Sequence, residues 1–344
     1  GRRLFIDELL YGAKEDVELV FGGPLHVPGP SVAATPARQA DGTWPLLNCR
    51  SRVTRGGNGT IEVSRELDPS FDLYLLDHQL DGKPVMPMAI GLELLSEVAI
   101  SAAPHGMQFA AMRDLRVLRG ITLEQGPRTL SVTASPSRET DGLVSIELRA
   151  KTGGERPFVC YTATAQLASS PIPIPPRDDW ALVGPQSFSM TVEDAYEQWL
   201  FHGPLFAGIV EVERIGENGI IARLSPSSPS RCLAETSSQC RWIIDPVIVD
   251  SGLQLLILWA RSYRDTTPLP SRFGAFHRYG DLSAGEIRCE ARIRPGIDGS
   301  PSIHADLFFY SLDGKLLGWL EDMEVACSKA LNRLGRTRAG STGT

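Results

Sequence analysis

The chain has 344 residues, 42% hydrophobic and 22% charged, with a formal net charge of −7; this is the balance of a globular protein long enough for about two domains. An acidic chain with no basic block and no interleaving of aromatic and basic residues excludes nucleic acid as a partner. No stretch reads as a signal peptide and the apolar helices carry too many polar residues to span a bilayer, so no membrane is expected and the chain is placed in the cytoplasm. Cys49, Cys160, Cys232, Cys240, Cys289 and Cys327 form no CxxC pair and no ligand-like cluster with histidine, and are expected to be reduced core residues.

The chain has no initiator Met and is expected to be part of something longer. Residues 3–20 read as a short helix and a strand, and Gly22-Gly23-Pro24 then opens a Pro/Gly/Ala-rich stretch to about Asp41. Residues 1–24 are read as the tail of a preceding domain and the start of a linker. Strand-like patterning begins at residues 46–53, followed by a turn at Gly56-Gly57-Asn58-Gly59 and a second strand over 61–67. Asn58-Gly59-Thr60 fits a glycosylation sequon but is better read as a hairpin turn. The loop Asp77-His78-Gln79-Leu80-Asp81-Gly82-Lys83-Pro84-Val85-Met86-Pro87 leads into the apolar run 88–103, with only Glu93, Ser96, Glu97 and Ser101 polar. Pro87 is suited to the first helical position because it has no N–H to leave unpaired. A helix with so little polar face is a buried one, and His78 is thus held beside a dry wall and free backbone N–H groups.

Strands are expected near 109–124, 128–136, 143–151 and 157–167. Residues 171–184, with Pro171, Pro173, Pro175 and Pro176, are the internal linker. The second half repeats the plan: strands near 208–215 and 218–224, the sequence Asp245-Pro246, an apolar helix over 247–261, then strands near 285–294, 301–311 and 315–327. This predicts an α+β duplication, residues 25–170 and 185–330, in which each antiparallel sheet wraps one apolar helix. Residues 331–344 are expected to be a disordered tail.

In the second helix Asp250 and Gln254 are four apart and share a face. Burial would raise the Asp250 pKa, whereas the helix dipole would lower it, and the sequence leaves that balance open. Taken singly, Asp250 could merely complement the dipole and His78 could be a hydrogen-bonded structural histidine. Spacing changes the weighing. His78-x-x-x-Gly82-x-x-x-x-Pro87 resembles the signature of the dehydratase domains of type I polyketide and polyunsaturated fatty acid synthases. Chance matches to that spacing number about 0.04 in a chain of this composition, so the match carries information. Asp250-x-x-x-Gln254 is similar to the family's second motif. His202-Gly203-Pro204-Leu205-Phe206 looks like its Tyr-Gly-Pro-x-Phe element with His202 in place of Tyr, and Leu269-Pro270-Ser271-Arg272-Phe273 resembles a looser fourth element. Residues 4–22 are similar to the end of a ketoreductase domain. Two departures stand out: Met88 follows the motif's Pro where Gly is usual, and His202 is the variant associated with iterative polyunsaturated fatty acid and enediyne-type synthases.

The resemblance implies a double hot-dog fold with one site between the halves. It implies dehydration of a 3-hydroxyacyl thioester carried on the phosphopantetheine arm of an acyl carrier protein, with His78 as base and Asp250 as acid. Gln254 would orient the acid. Gly82, Pro87, Met88, His202, Gly203, Pro204 and Phe206 would shape the substrate site, with backbone N–H groups near Met88 and Ala89 facing the thioester oxygen. His202 is read equally well as a residue that only shapes the turn before Gly203-Pro204. No metal and no cofactor of its own is expected; the partners would be the carrier protein and neighbouring synthase domains, and the monomer or dimer question stays open. The alternatives are a same-fold cyclase or isomerase using the same His/Asp pair, and an inactive structural module. A hot-dog thioesterase fits less well because it would leave C3 untouched. No Gly-x-Ser-x-Gly elbow points to a serine hydrolase.

Overall fold

Both apolar runs form helices walled in on every side, and antiparallel strands supply the walls. The computed structural model describes residues 44–48, 51–104, 106–124, 126–151, 156–237, 239–295 and 300–338. The segment read as a ketoreductase tail, the stretch up to residue 43, Cys49 and residues 339–344 lie outside the described residues.

The first half runs through a short helix α1 (Pro45–Asn48), β1 (Ser51–Arg55), β2 (Ile61–Leu67), β3 (Gln79–Leu80), β4 (Lys83–Pro84), the helix α2 (Met88–Ser101), β5 (Gln108–Val117), β6 (Arg128–Pro136), β7 (Leu143–Lys151) and β8 (Phe158–Ala168). The second runs through α3 (Val192–Gln198), β9 (Ile209–Gly216), β10 (Gly219–Leu224), α4 (Pro229–Cys232), α5 (Pro246–Arg264), β11 (Thr267–Arg278), β12 (Ile287–Ile293), β13 (Ser302–Ser311) and β14 (Leu316–Ser328). The expected duplication is present, but its two sheets are one. The strand order β1-β2-β6-β7-β8-β5-β11-β14-β13-β12-β10-β9 is continuous. The halves join where β5 pairs antiparallel with β11, from Arg272 opposite Arg116 to His277 opposite Ala111. Pairing the two inner edges removes a pair of open ladders that would otherwise template association.

Residues Met88 through Ala99 of α2 are all buried, and so are Pro246 through Ala260 of α5. The two helices pack against each other. Wrapping by sheet on one side and by the other helix on the other explains the missing polar face. The polar residues in α2 are ties. Glu93 accepts from Ile243 N (2.8 Å) and Ile244 N (2.7 Å), just before α5, and so couples the halves. Glu97 accepts from Leu46 N and from Leu47 N (2.9 Å), at the start of α1. Burying these carboxyls is tolerable because they are hydrogen-bonded.

Three expectations are corrected. Residues 46–53 are not one strand: Pro45–Asn48 is helical, its leading N–H groups held by Glu97, and β1 starts at Ser51. Pro87 is the N-cap of α2, one position before the first helical residue, whereas Pro246 does occupy the first position of α5. Residues 331–338, expected to be disordered, continue a 3-10 helix with Leu334 buried and Asn332 bonded to Asp265 and Thr267. The hairpin at Asn58-Gly59 is as expected, with Gly59 at φ +82°. The described cysteines are free, and all but Cys327 are buried. Among the described residues no helix is long and apolar enough to cross a membrane.

Candidate active site

His78 is presented by a tight hairpin. Strands β3 and β4 are joined by Asp81 (φ +51°) and Gly82 (φ +75°), a two-residue turn of the mirror-image type in which Gly carries the left-handed conformation most easily. The hairpin closes on His78 and Val85: Val85 N donates to His78 O at 3.0 Å, and His78 Nδ1 lies 2.7 Å from Val85 O. A carbonyl oxygen can only accept, so Nδ1 carries the hydrogen and Nε2 keeps its lone pair. Gly82 is therefore part of the motif as the turn that sets the tautomer. It does not line the cavity.

Asp250 stands on α5, whose start is already capped. Asp245 accepts from Val247 N (2.9 Å) and Ile248 N (3.3 Å) and is held in turn by Ser227. Asp250 lies beyond that first turn, where the dipole has largely fallen off. Burial then wins the balance left open by the sequence: Asp250 is pushed up to about 7, against a bond from Gln254 that pulls it down. The same burial pushes His78 down to about 4, so its ring is neutral at neutral pH.

His202 is brought to the pair by backbone. Residues 78 and 202 form an isolated antiparallel bridge, Gly203 N donates to Asp77 O at 2.6 Å, and Leu205 N donates to Asp77 Oδ2 at 2.8 Å. The His202 ring stacks on Phe201 with centroids 4.0 Å apart, and its Nε2 lies 3.3 Å from Asp250 Oδ2. Gln254 Nε2 donates to the same Oδ2 at 2.8 Å and to Phe206 O at 2.9 Å.

One atom from each of His78, His202 and Asp250 lies within 4.8 Å of the other two. Ligands of a tetrahedral zinc at about 2.0–2.2 Å from the metal sit roughly 3.4 Å from one another. The atoms are close enough for a hydroxyl or water to be hydrogen-bonded between them, each bond about 2.8 Å long, and His202 Nε2 and Asp250 Oδ2 are 3.3 Å apart. The three groups open onto a cavity of about 220 Å³ whose wall also includes Met88, Tyr161, Leu253, Gln254 and Pro268 to Pro270. Of the residues singled out from sequence, His78, Met88, His202, Asp250 and Gln254 line this cavity, as do Leu269 and Pro270 of the fourth element. Pro87, Gly203, Pro204 and Phe206 are not on its wall: Pro87 caps α2, and Gly203 to Phe206 form the turn that follows His202. The sequence did not reveal Tyr161, which crosses α2 at Gly91, or a role for Tyr196. A glycine inside an apolar helix was the available signal for the first.

Comparison with known proteins gives the family and the fold. Residues 45–151 match the family described as "Polyketide synthase dehydratase domain", and residues 183–334 match "Polyketide synthase dehydratase N-terminal domain". A polyunsaturated fatty acid synthase chain of Thraustochytrium sp. is 26% identical over 258 residues, covering 73% of this chain and 9% of that protein. A phenolphthiocerol/phthiocerol polyketide synthase chain of Mycobacterium tuberculosis is 28% identical over 288 residues, covering 74% of this chain and 12% of that protein. The chain thus spans about a tenth of the length of these relatives. Among solved structures, the dehydratase domain of the polyketide PpsC from M. tuberculosis shares the fold with a TM-score of 0.64 at 23% identity, covering 83% of this chain and 99% of that one. The dehydratase domain from the CurK module of curacin polyketide synthase gives 0.64 at 18% identity, covering 83% and 98%. The fold is the double hot-dog of those domains, and the chain belongs to the polyketide synthase dehydratase family.

Proposed function

We propose that the chain removes water from a 3-hydroxyacyl thioester borne on the phosphopantetheine of an acyl carrier protein, giving the 2-enoyl thioester, inside a larger polyketide or polyunsaturated fatty acid synthase. The observation that carries this reading is a neutral histidine with a free Nε2 and a carboxyl that still holds its proton near neutrality, facing one apolar cavity from opposite halves.

His78 Nε2 takes the proton at C2, next to the thioester, where a base needs a lone pair and not a charge. Asp250 gives its proton to the C3 hydroxyl as the C–O bond breaks, and that hydroxyl leaves as water. The turnover ends with His78 protonated and Asp250 ionised, and transfer of one proton between them restores both. Charge building on the thioester oxygen meets the start of α2. The first helical bond runs from Gly91 N to Pro87 O, so the N–H groups of Met88 and Ala89 precede it and have no partner among the described residues, which leaves them to an acceptor. The cavity wall keeps bulk water away from the thioester, which favours elimination over hydrolysis.

The partners are the carrier protein and the neighbouring synthase domains. On this reading residues 25–170 and 185–330 are the two halves, 171–184 their linker, and 1–24 the tail of a preceding domain, ketoreductase-like over residues 4–22, with the start of a linker. The test is a mass measurement on a carrier protein loaded with a short 3-hydroxyacyl chain. A loss of about 18 Da with the thioester intact is the expected elimination. Loss of the whole acyl group would indicate a thioesterase, and unchanged mass with altered proton resonances a cyclase or isomerase.

A further inference from the structure

Gln254 has an amide that could meet Asp250 with either end, and nothing in Gln254 itself decides which. The structure supplies two deciding groups from other elements: Phe206 O, which can only accept, and a hydroxyl at the other end of the amide. Tyr196, on α3 and 58 residues away in sequence, places its hydroxyl 2.8 Å from Gln254 Oε1. The same hydroxyl oxygen accepts from Ile209 N at 3.1 Å and lies 3.4 Å from Phe206 O. A phenol has one hydrogen to give, and the shorter contact takes it. With Oε1 engaged by a donor, Nε2 must face Phe206 O and Asp250 Oδ2, and it does. Gln254 Nε2 therefore donates to Oδ2, and His202 Nε2 also approaches that oxygen. Oδ1 has no hydrogen-bond partner among the described residues, and Asp250 is on the cavity wall. A carboxyl oxygen that is receiving a hydrogen bond is the poorer place for the carboxyl's own hydrogen.

We propose that Tyr196 is a positioning residue for the acid: by donating to Gln254 Oε1 it fixes the face of the amide that Asp250 meets and so keeps the transferable hydrogen on Oδ1, toward the substrate. This deepens the dehydratase reading and rests on it. Without the phenol hydrogen, Gln254 Oε1 loses its donor and Phe206 O alone is left to hold the amide against turning its oxygen toward Asp250. Once turned, Oε1 can accept a hydrogen from the protonated carboxyl, which strengthens the acid form and draws its hydrogen away from the substrate.

The test measures kcat and KM against pH for Tyr196→Phe, Gln254→Met and the double variant in the intact chain, with Asp250 followed in parallel by the carbon resonance of its carboxyl, which reads without turnover. Tyr196→Phe should lower kcat about 10-fold, less than full loss of an acid, leave KM nearly unchanged, and move the alkaline limb and the Asp250 titration to higher pH. Gln254→Met removes the donor to Oδ2 and should also move the titration up. In its background Tyr196→Phe should add nothing. An unmoved limb in a folded Tyr196→Phe, or an equal further loss in the Gln254→Met background, would overturn the proposal. If Tyr196→Phe does not fold, the Gln254→Met titration decides alone, an unmoved Asp250 overturning it. A wild type that releases no water overturns the dehydratase reading instead, while the Asp250 titrations still judge the positioning.

Discussion

His202 Nε2 lies 3.3 Å from Asp250 Oδ2, both side chains buried, in the place where the resemblance leads one to expect a tyrosine. A tyrosine there stays neutral across the working range, whereas a histidine has an ordinary pKa near 6.5. A charged His202 would hold Asp250 as the carboxylate and weaken it as an acid. The ring stacks on Phe201 and its Nε2 is aimed at Oδ2, which fits a hydrogen-bond donor at this position. We therefore expect His202→Tyr to keep substantial activity and His202→Phe to lose more. Superimposable pH–rate profiles for wild type and both variants would leave His202 with no part in the proton chemistry.

The pH dependence of the wild type follows from two opposite shifts. His78 must be neutral to act as base, which holds above about 4, and Asp250 must be protonated to act as acid, which holds below about 7. The rate should be level between these limits and fall as pH rises through Asp250. Initial rates measured from pH 5 to 9 check this. A rate still climbing across pH 7 to 8 contradicts the assignment of the acid.

Gln254→Ala should slow the reaction less than Asp250→Asn does, because Gln254 supplies a hydrogen bond to the acid and not the proton. Steady-state rates of the two variants under one condition make the comparison. Equal losses would give Gln254 a larger role than orientation.

Gly91 is the notch through which Tyr161 reaches the cavity. A Cβ at position 91 would stand 2.2 Å from Tyr161 Cε2. Alanine gains about 1 kcal/mol of helix propensity over glycine, but forcing a methyl into a packed ring costs about 1–3 kcal/mol. At so short a separation the clash should win. Gly91→Ala is expected to lower the urea midpoint, and Tyr161→Leu in the same chain should restore part of it. A stabilised Gly91→Ala would show that the ring has room to move.

The buried carboxyls of α2 give the fold its own pH dependence. Burial raises both Glu93 and Glu97, the latter to about 8 from an ordinary 4.5. A carboxyl raised in the folded state favours folding fully below its unfolded pKa, and that contribution is lost as pH rises through the folded value. The unfolding midpoint should therefore fall between about pH 4.5 and 8, and Glu97→Gln should flatten the slope. The same slope in Glu97→Gln would assign it to other groups.

Much of the site was legible because its chemistry is local in sequence. The hairpin that fixes the His78 tautomer and the i, i+4 pair Asp250–Gln254 both lie within single elements. The buried helices were legible from their composition. The missed parts depend on distant partners. Strand β11 was seen only as a loose motif because Pro268 and Pro270 argue against a central strand. Both prolines fall where β11 pairs with β14 alone; pairing with β5 begins at Arg272, so their missing N–H groups cost nothing on that side. Helix α1 depends on Glu97, about 50 residues away, and the orientation of Gln254 on Tyr196.

The most direct test of the central claim is the carrier-bound mass assay run with wild type, His78→Ala, Asp250→Asn and the double variant, each first shown to be folded. Wild type should lose water, and each single variant should be slower by roughly 10² to 10⁴-fold. Because the two groups act in one event, the double variant should be little slower than the worse single one. Near-wild-type water loss by a folded His78→Ala protein would contradict the mechanism.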